Sequence, residues 1–94
     1  MVTLNHVTGK NKGKIILYAL STCAMCKGVK RILNELGVEY DYIDVDLLDP
    51  PDKEEVRNKM HRWNSRSLFP MLVIDDKRCI IGDEPDQIKE VLAP

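Results

Sequence analysis

Two cysteines three positions apart, Cys23 and Cys26, lie in the stretch Tyr18-Ala19-Leu20-Ser21-Thr22-Cys23-Ala24-Met25-Cys26-Lys27. The apolar run before them reads as the end of a buried strand, and the residues after them as the first turns of a helix. A thiol at such a junction is placed for reaction. The first N–H groups of a helix have no partner within it and carry partial positive charge, so a thiolate there is stabilised. Cys23 is therefore the expected nucleophile. Val29, Leu33 and Leu36 continue from Cys26 at helical spacing, which puts Cys26 on the core-facing stripe and makes it the resolving thiol.

The same pair of residues has two plainer readings. Cys-x-x-Cys is also half of a zinc site, and a cysteine is often only a small buried hydrophobe. Zinc needs two more ligands, and the chain offers one further cysteine, Cys79, and two histidines, His6 and His61, none of them in a second close pair. Cys79 is expected to pack as an apolar side chain, and His6 and His61 to lie at the surface.

The elements that must hold the thiols follow from pattern. Ile15 to Leu20 is continuously apolar, as in a central strand covered on both faces. Ser21 or Thr22 is expected to cap the helix, which runs through about Asn34 and stops near Gly37 in the left-handed conformation. Val38 to Val45 is a strand, so the first unit is a β-α-β crossover. Asp49-Pro50-Pro51-Asp52 starts a second helix whose inner stripe is Val56, Met60 and Trp63. Leu68 to Ile74 is a strand with Pro70 at its mouth, where a missing N–H does no harm. Asp75-Asp76-Lys77 turns the chain back into Arg78 to Ile81, and Gly82 to Pro85 opens a last helix packed through Ile88, Val91 and Leu92. Residues 14–94 thus form one domain of order β-α-β-α-β-β-α. Residues 1–13, where Val2, Leu4 and His6 alternate with polar residues, form an arm or an extra edge strand.

Composition bounds the function. The 94 residues are 44% hydrophobic and 31% charged with a net charge of -1, which fits a globular domain and argues against nucleic acid as a partner. No apolar run reaches the length of a membrane span, the N-terminus lacks a signal-peptide core, and three cysteines do not make a structural disulfide framework. A cytoplasmic location is expected. Charge is segregated: residues 1–34 carry six Lys or Arg and no carboxylate, while residues 35–55 carry nine Asp or Glu against Lys53. Lys27 and Lys30, close behind the thiols, are expected to favour the thiolate and draw anionic partners.

Three segments carry a family resemblance: Leu17 to Lys27, Tyr40 to Asp46, and Phe69-Pro70-Met71-Leu72-Val73-Ile74. Together they resemble a glutaredoxin of the thioredoxin superfamily, in particular the small prokaryotic type, over Lys14 to Leu92. The resemblance implies a thioredoxin-like α/β fold, a four-stranded mixed sheet flanked by three helices, with a cis bond at Pro70 beside the Cys23 sulfur. It implies Cys23 and Cys26 as catalytic residues and Thr22, Met25, Phe69, Pro70 and Asp83 as substrate contacts, the backbone of Phe69 pairing with an extended substrate.

The implied activity is that of a dithiol–disulfide oxidoreductase acting on protein or small-molecule disulfides. It is expected to work as a monomer, with no bound cofactor and an external thiol reductant or reductase. Many glutathione-using members of the family have lysine where Leu20 stands and threonine where Leu68 stands. Loss of a charge-assisted contact to a carboxylate disfavours glutathione, so the donor is either that thiol or one of the thioredoxin-reductase type. Two other readings remain: a metal or iron–sulfur carrier using Cys23, Cys26 and Cys79, and a redox-inert adaptor binding extended peptides along Phe69-Pro70.

Overall fold

The computed structural model describes residues 2–93, so Met1 of the arm and Pro94 at the end of the domain lie outside the described residues. Strands β1 (Asn5–Val7), β2 (Ile15–Ala19), β3 (Tyr40–Asp44), β4 (Met71–Ile74) and β5 (Arg78–Ile81) form one sheet in the order β1-β3-β2-β4-β5. Helices α1 (Ala24–Leu36), α2 (Pro50–His61) and α3 (Pro85–Leu92) flank it, and a single 3-10 turn, Val45–Leu47, follows β3. The β2-α1-β3 crossover gives a parallel pair, Ala19 opposite Asp44, while β4 runs antiparallel to both β2 and β5.

Alternation along the strands sorts the core into two layers. Ile15, Leu17 and Ala19 face the side covered by α1 and α3, where Cys26, Val29, Leu33, Ile88 and Leu92 are buried. Ile16 and Tyr18 face the other side, where Val56 and Met60 of α2 pack. Both faces of β2 are therefore dry, which is why its sequence is continuously apolar. Trp63 falls just past the end of α2 and packs half-buried against the same layer.

The sheet has five strands rather than the four of the basic pattern, because the N-terminal segment pairs antiparallel with β3. The paired residues are Asn5–Val7, shifted from the expected alternation. Val7 is the inward side chain, and His6 is held on the surface by Asp41, 2.7 Å from its Nδ1. A bridge between Lys10 and Val38 continues the attachment.

Two other boundaries differ from expectation. The third strand starts at Tyr40, since Val38 is spent on that bridge, and ends at Asp44, since Val45 enters the 3-10 turn. The fourth begins only at Met71, after Pro70, as a residue without a ladder donor requires. Gly37 ends α1 in the left-handed region (φ 69), its N–H donating to the carbonyls of Asn34 and Leu33.

Candidate active site

All the segments expected to carry chemistry meet at one edge of the sheet. The C-terminal ends of the parallel strands β2 and β3, the start of β4 and the end of β5 lie side by side there. The chain leaves β2 at Ala19, turns through Leu20–Cys23 with the Cys23 N–H donating to the Leu20 carbonyl at 3.2 Å, and enters α1 at Ala24.

The residue capping the helix is Cys23 itself, not Ser21 or Thr22. Its backbone is extended (φ -89, ψ 116), and its Sγ accepts the N–H of Cys26 at 3.2 Å. A sulfur takes the place usually held by a hydroxyl or carboxylate oxygen, and negative charge on it is stabilised by that donor and by the helix terminus. Cys23 is half-buried and Cys26 wholly buried, and all three cysteines are free. Burial first, and then hydrogen bonding to the Cys23 sulfur, push the Cys26 thiol up to about 12. The two sulfurs are thereby separated in role: one is partly open at the helix start, the other is kept protonated inside.

Ser21 has a different task from the expected cap. Its N–H donates to Asp46 Oδ1 at 2.8 Å, and its hydroxyl donates to Asp46 Oδ2. These two bonds hold the Asp46 carboxyl below its usual range. Asp46 was absent from the sequence-derived site, and only the β-α-β crossover brings it near. The parallel register ends with Ala19 opposite Asp44, so Ser21 and Asp46 both lie just beyond it, at the same end of neighbouring strands.

The remaining expected residues divide. Pro70 is buried and joined to Phe69 by a cis peptide bond, and its carbonyl accepts the Gly82 N–H at 2.9 Å. Phe69 lies before the β2–β4 register begins and packs against both core layers. Met25 is 49% exposed, its Cε 4.0 Å from where a β-carbon on Gly82 would stand. Asp83 folds over α1, with Oδ2 only 2.8 Å from where a β-carbon on Gly28 would stand. The structure therefore brings Cys23, Cys26, Met25, Pro70 and Asp83 to one edge. Thr22 sits beside them, exposed, and makes no hydrogen bond to the thiol pair among the described residues.

Lys30 lies near enough for its charge to favour ionisation at Cys26, as expected, and its ammonium also pairs with Asp44 at 3.2 Å and lies 4.1 Å over the Tyr42 ring. Lys27 remains exposed on α1. Cys79 packs with the α2 layer, across the sheet from Cys26, so it does not join the pair as a third ligand. Among the described residues no three His, Cys, Asp or Glu side chains are grouped to hold a metal ion, and no helix is long and apolar enough to cross a membrane.

The chain is similar in sequence and fold to known proteins. The family model for glutaredoxin matches residues 15–79. The glutaredoxin of Methanosarcina mazei Go1 is 42% identical with a TM-score of 0.88, covering 95% of this chain and 86% of that one. Methanoredoxin of Methanosarcina acetivorans is 39% identical with a TM-score of 0.86, covering 89% of this chain and 88% of that one. A glutaredoxin of Vernicia fordii is 24% identical over 77 residues, 82% of this chain and 70% of its own length. Since the matched region runs from the first residue of β2 to Cys79 and takes in the whole thiol-bearing turn, the chain belongs to the glutaredoxin family and is a thiol–disulfide oxidoreductase.

Proposed function

We propose that the chain reduces protein disulfides by a two-thiol route and draws its electrons from a thioredoxin-reductase-type donor rather than from glutathione. The Cys23 thiolate attacks one sulfur of the substrate disulfide, forming a mixed disulfide and expelling the other sulfur as a thiolate, which takes up a proton. Cys26 then loses its proton and attacks Cys23 Sγ. The Cys23–Cys26 disulfide forms, the substrate's second thiolate leaves, and the substrate has gained two electrons. The donor returns two electrons and two protons to the pair.

The observation that carries this reading is the position of the Cys23 sulfur, capping α1 with the Cys26 N–H at 3.2 Å while the second thiol is buried one turn further in. An attacking sulfur must be reachable and a resolving sulfur must be sheltered from solvent disulfides. Two further features favour a protein substrate. Met25, Leu47 and Leu68 are exposed large apolar side chains and lie along the same edge as Cys23, a surface suited to flanking apolar residues of a partner. Leu20, where glutathione-using relatives carry a cation, packs half-buried against the α2 layer and offers no charge to a carboxylate. A close pair of free thiols also suits a reducing compartment, and we assign the protein to the cytoplasm.

The test offers one disulfide substrate with two electron sources in separate tubes, glutathione with its reductase and a thioredoxin reductase, and follows NADPH consumption. Turnover with the second and little with the first is expected. Equal or faster turnover with glutathione would overturn the assignment of donor.

A further inference from the structure

We propose that Asp46 is a positioning residue for the reaction: by holding Ser21 it keeps the Cys23 sulfur seated on the first turn of α1. The stretch Leu20–Cys23 between β2 and α1 has an internal turn, Cys23 N–H to Leu20 carbonyl at 3.2 Å, but that bond does not fix the loop to the sheet. The tie to the sheet is made by Asp46, which accepts the Ser21 N–H at 2.8 Å on one oxygen and the Ser21 hydroxyl on the other. Thr22, the other polar side chain of the loop, is exposed. A carboxylate accepting two donors from one residue fixes both the position and the orientation of that residue. Ser21 is two residues from the sulfur, so its orientation sets the direction in which the chain enters the helix.

The neighbouring strand supplies the anchor. Asp46 lies in the 3-10 turn directly after β3, and β3 is bound in parallel register to β2 up to Ala19 opposite Asp44. The carboxylate, exposed, is thus carried on the turn that ends β3, beside the strand that leads to the thiol. When the brace is intact, Cys23 keeps the extended backbone that lets its sulfur accept the Cys26 N–H. When it is lost, the loop is free to leave that geometry, and the thiolate loses a donor.

The sign of the effect separates this role from the obvious alternative. A carboxylate acting only as a nearby negative charge disfavours a thiolate, so its removal would speed reaction at Cys23. A carboxylate acting as a brace slows that reaction when removed. The inference rests on Cys23 being the attacking sulfur, and this is read separately, from which cysteine of the unmodified protein is alkylated first.

The experiment measures iodoacetamide alkylation of Cys23 by peptide mass mapping from pH 5 to 9. Unmodified protein is compared with Asp46→Ala, Asp46→Asn, Ser21→Ala and the Ser21→Ala/Asp46→Ala double variant, after circular dichroism has established that each is folded. Asp46→Ala is expected to slow Cys23 alkylation at pH 6 by about two- to fivefold, the range for losing a helix-terminus interaction with a charged group, and to displace the rate profile toward higher pH. Asp46→Asn keeps an oxygen for the Ser21 N–H and falls between the two. Ser21→Ala also falls between, and the double variant is no slower than Asp46→Ala, because the two residues act through one contact. Alkylation of Asp46→Ala at the unmodified rate or faster, with an unmoved profile, would overturn the proposal.

Discussion

Replacing Gly28 with alanine should stabilise the fold and weaken substrate binding at the same time. Gly28 lies within α1, where a glycine costs about 0.5–1 kcal/mol relative to alanine through backbone entropy. The added β-carbon would stand 2.8 Å from Asp83 Oδ2 and 3.4 Å from its Cγ. Asp83 is exposed and its carboxylate is the end of a rotatable side chain, so it can swing away at little cost. The helix term then wins. In a domain of this size about 1 kcal/mol corresponds to roughly 4–8 °C, so the melting temperature should rise by about 2–8 °C.

The displaced carboxylate, however, is the one proposed from the sequence resemblance to contact substrate. KM for a protein disulfide should rise about two- to fivefold with kcat held within about twofold, the size expected for moving one exposed polar contact. Thermal unfolding by circular dichroism and steady-state turnover on the same samples read the two effects. On an Asp83→Ala background the gain in melting temperature should remain and the change in KM should vanish. A fall in melting temperature would show that Asp83 is rigidly held over α1. The same rise in KM without Asp83 would show that the contact plays no part in binding.

Three further outcomes follow from the titrating groups and the core. Because burial, the largest cause, raises the Cys26 thiol whether or not Cys23 is bonded, decay of the mixed disulfide in single turnover should speed by about tenfold per pH unit across neutrality; a flat profile between pH 6 and 9 would contradict a buried resolving thiol. His6 is raised above 6.5, chiefly by its hydrogen bond to Asp41, so its hold on β1 is complete below pH 6.5 and is lost as pH climbs through the raised folded value. Its NMR titration midpoint should lie above 6.5 and fall in Asp41→Asn, while a midpoint at or below 6.5 in the unmodified protein would refute the pairing. Leu33→Ala, at a fully buried position between α1 and the sheet, should cost about 2–5 kcal/mol by denaturant unfolding, and a cost under about 1 kcal/mol would mean that the site collapses around the loss.

Much of this architecture is legible in the chain because local rules and the tertiary environment agree. The apolar run of β2 announces a strand covered on both faces, and the 3.6-residue stripe from Cys26 to Leu33 announces the buried side of α1. Gly37 marks where that helix must stop, whereas the strand expected from Leu68 starts only at Met71, past Pro70.

What escapes a linear reading is decided between distant residues. Ser21 looks like a cap until Asp46, 25 positions on, takes both its donors, and the cap then passes to the sulfur of Cys23. Lys30 acts on the thiols as its position suggests, but its pairing with Asp44 and Tyr42 appears only once the crossover brings them under its ammonium. The N-terminal strand is offset because its register is chosen by Val7 reaching the core and by His6 meeting Asp41, not by its own alternation. Asp83 and Gly28, 55 positions apart, give no sign of each other until α3's approach brings them together over α1.

The division of labour between the two sulfurs is tested most directly by intact mass and peptide mapping of the Cys26→Ser variant after mixing with a protein disulfide. Attack without resolution predicts a stable one-to-one adduct joined through Cys23, released by dithiothreitol. An adduct on Cys79, or no adduct while the unmodified protein turns over, would contradict the account.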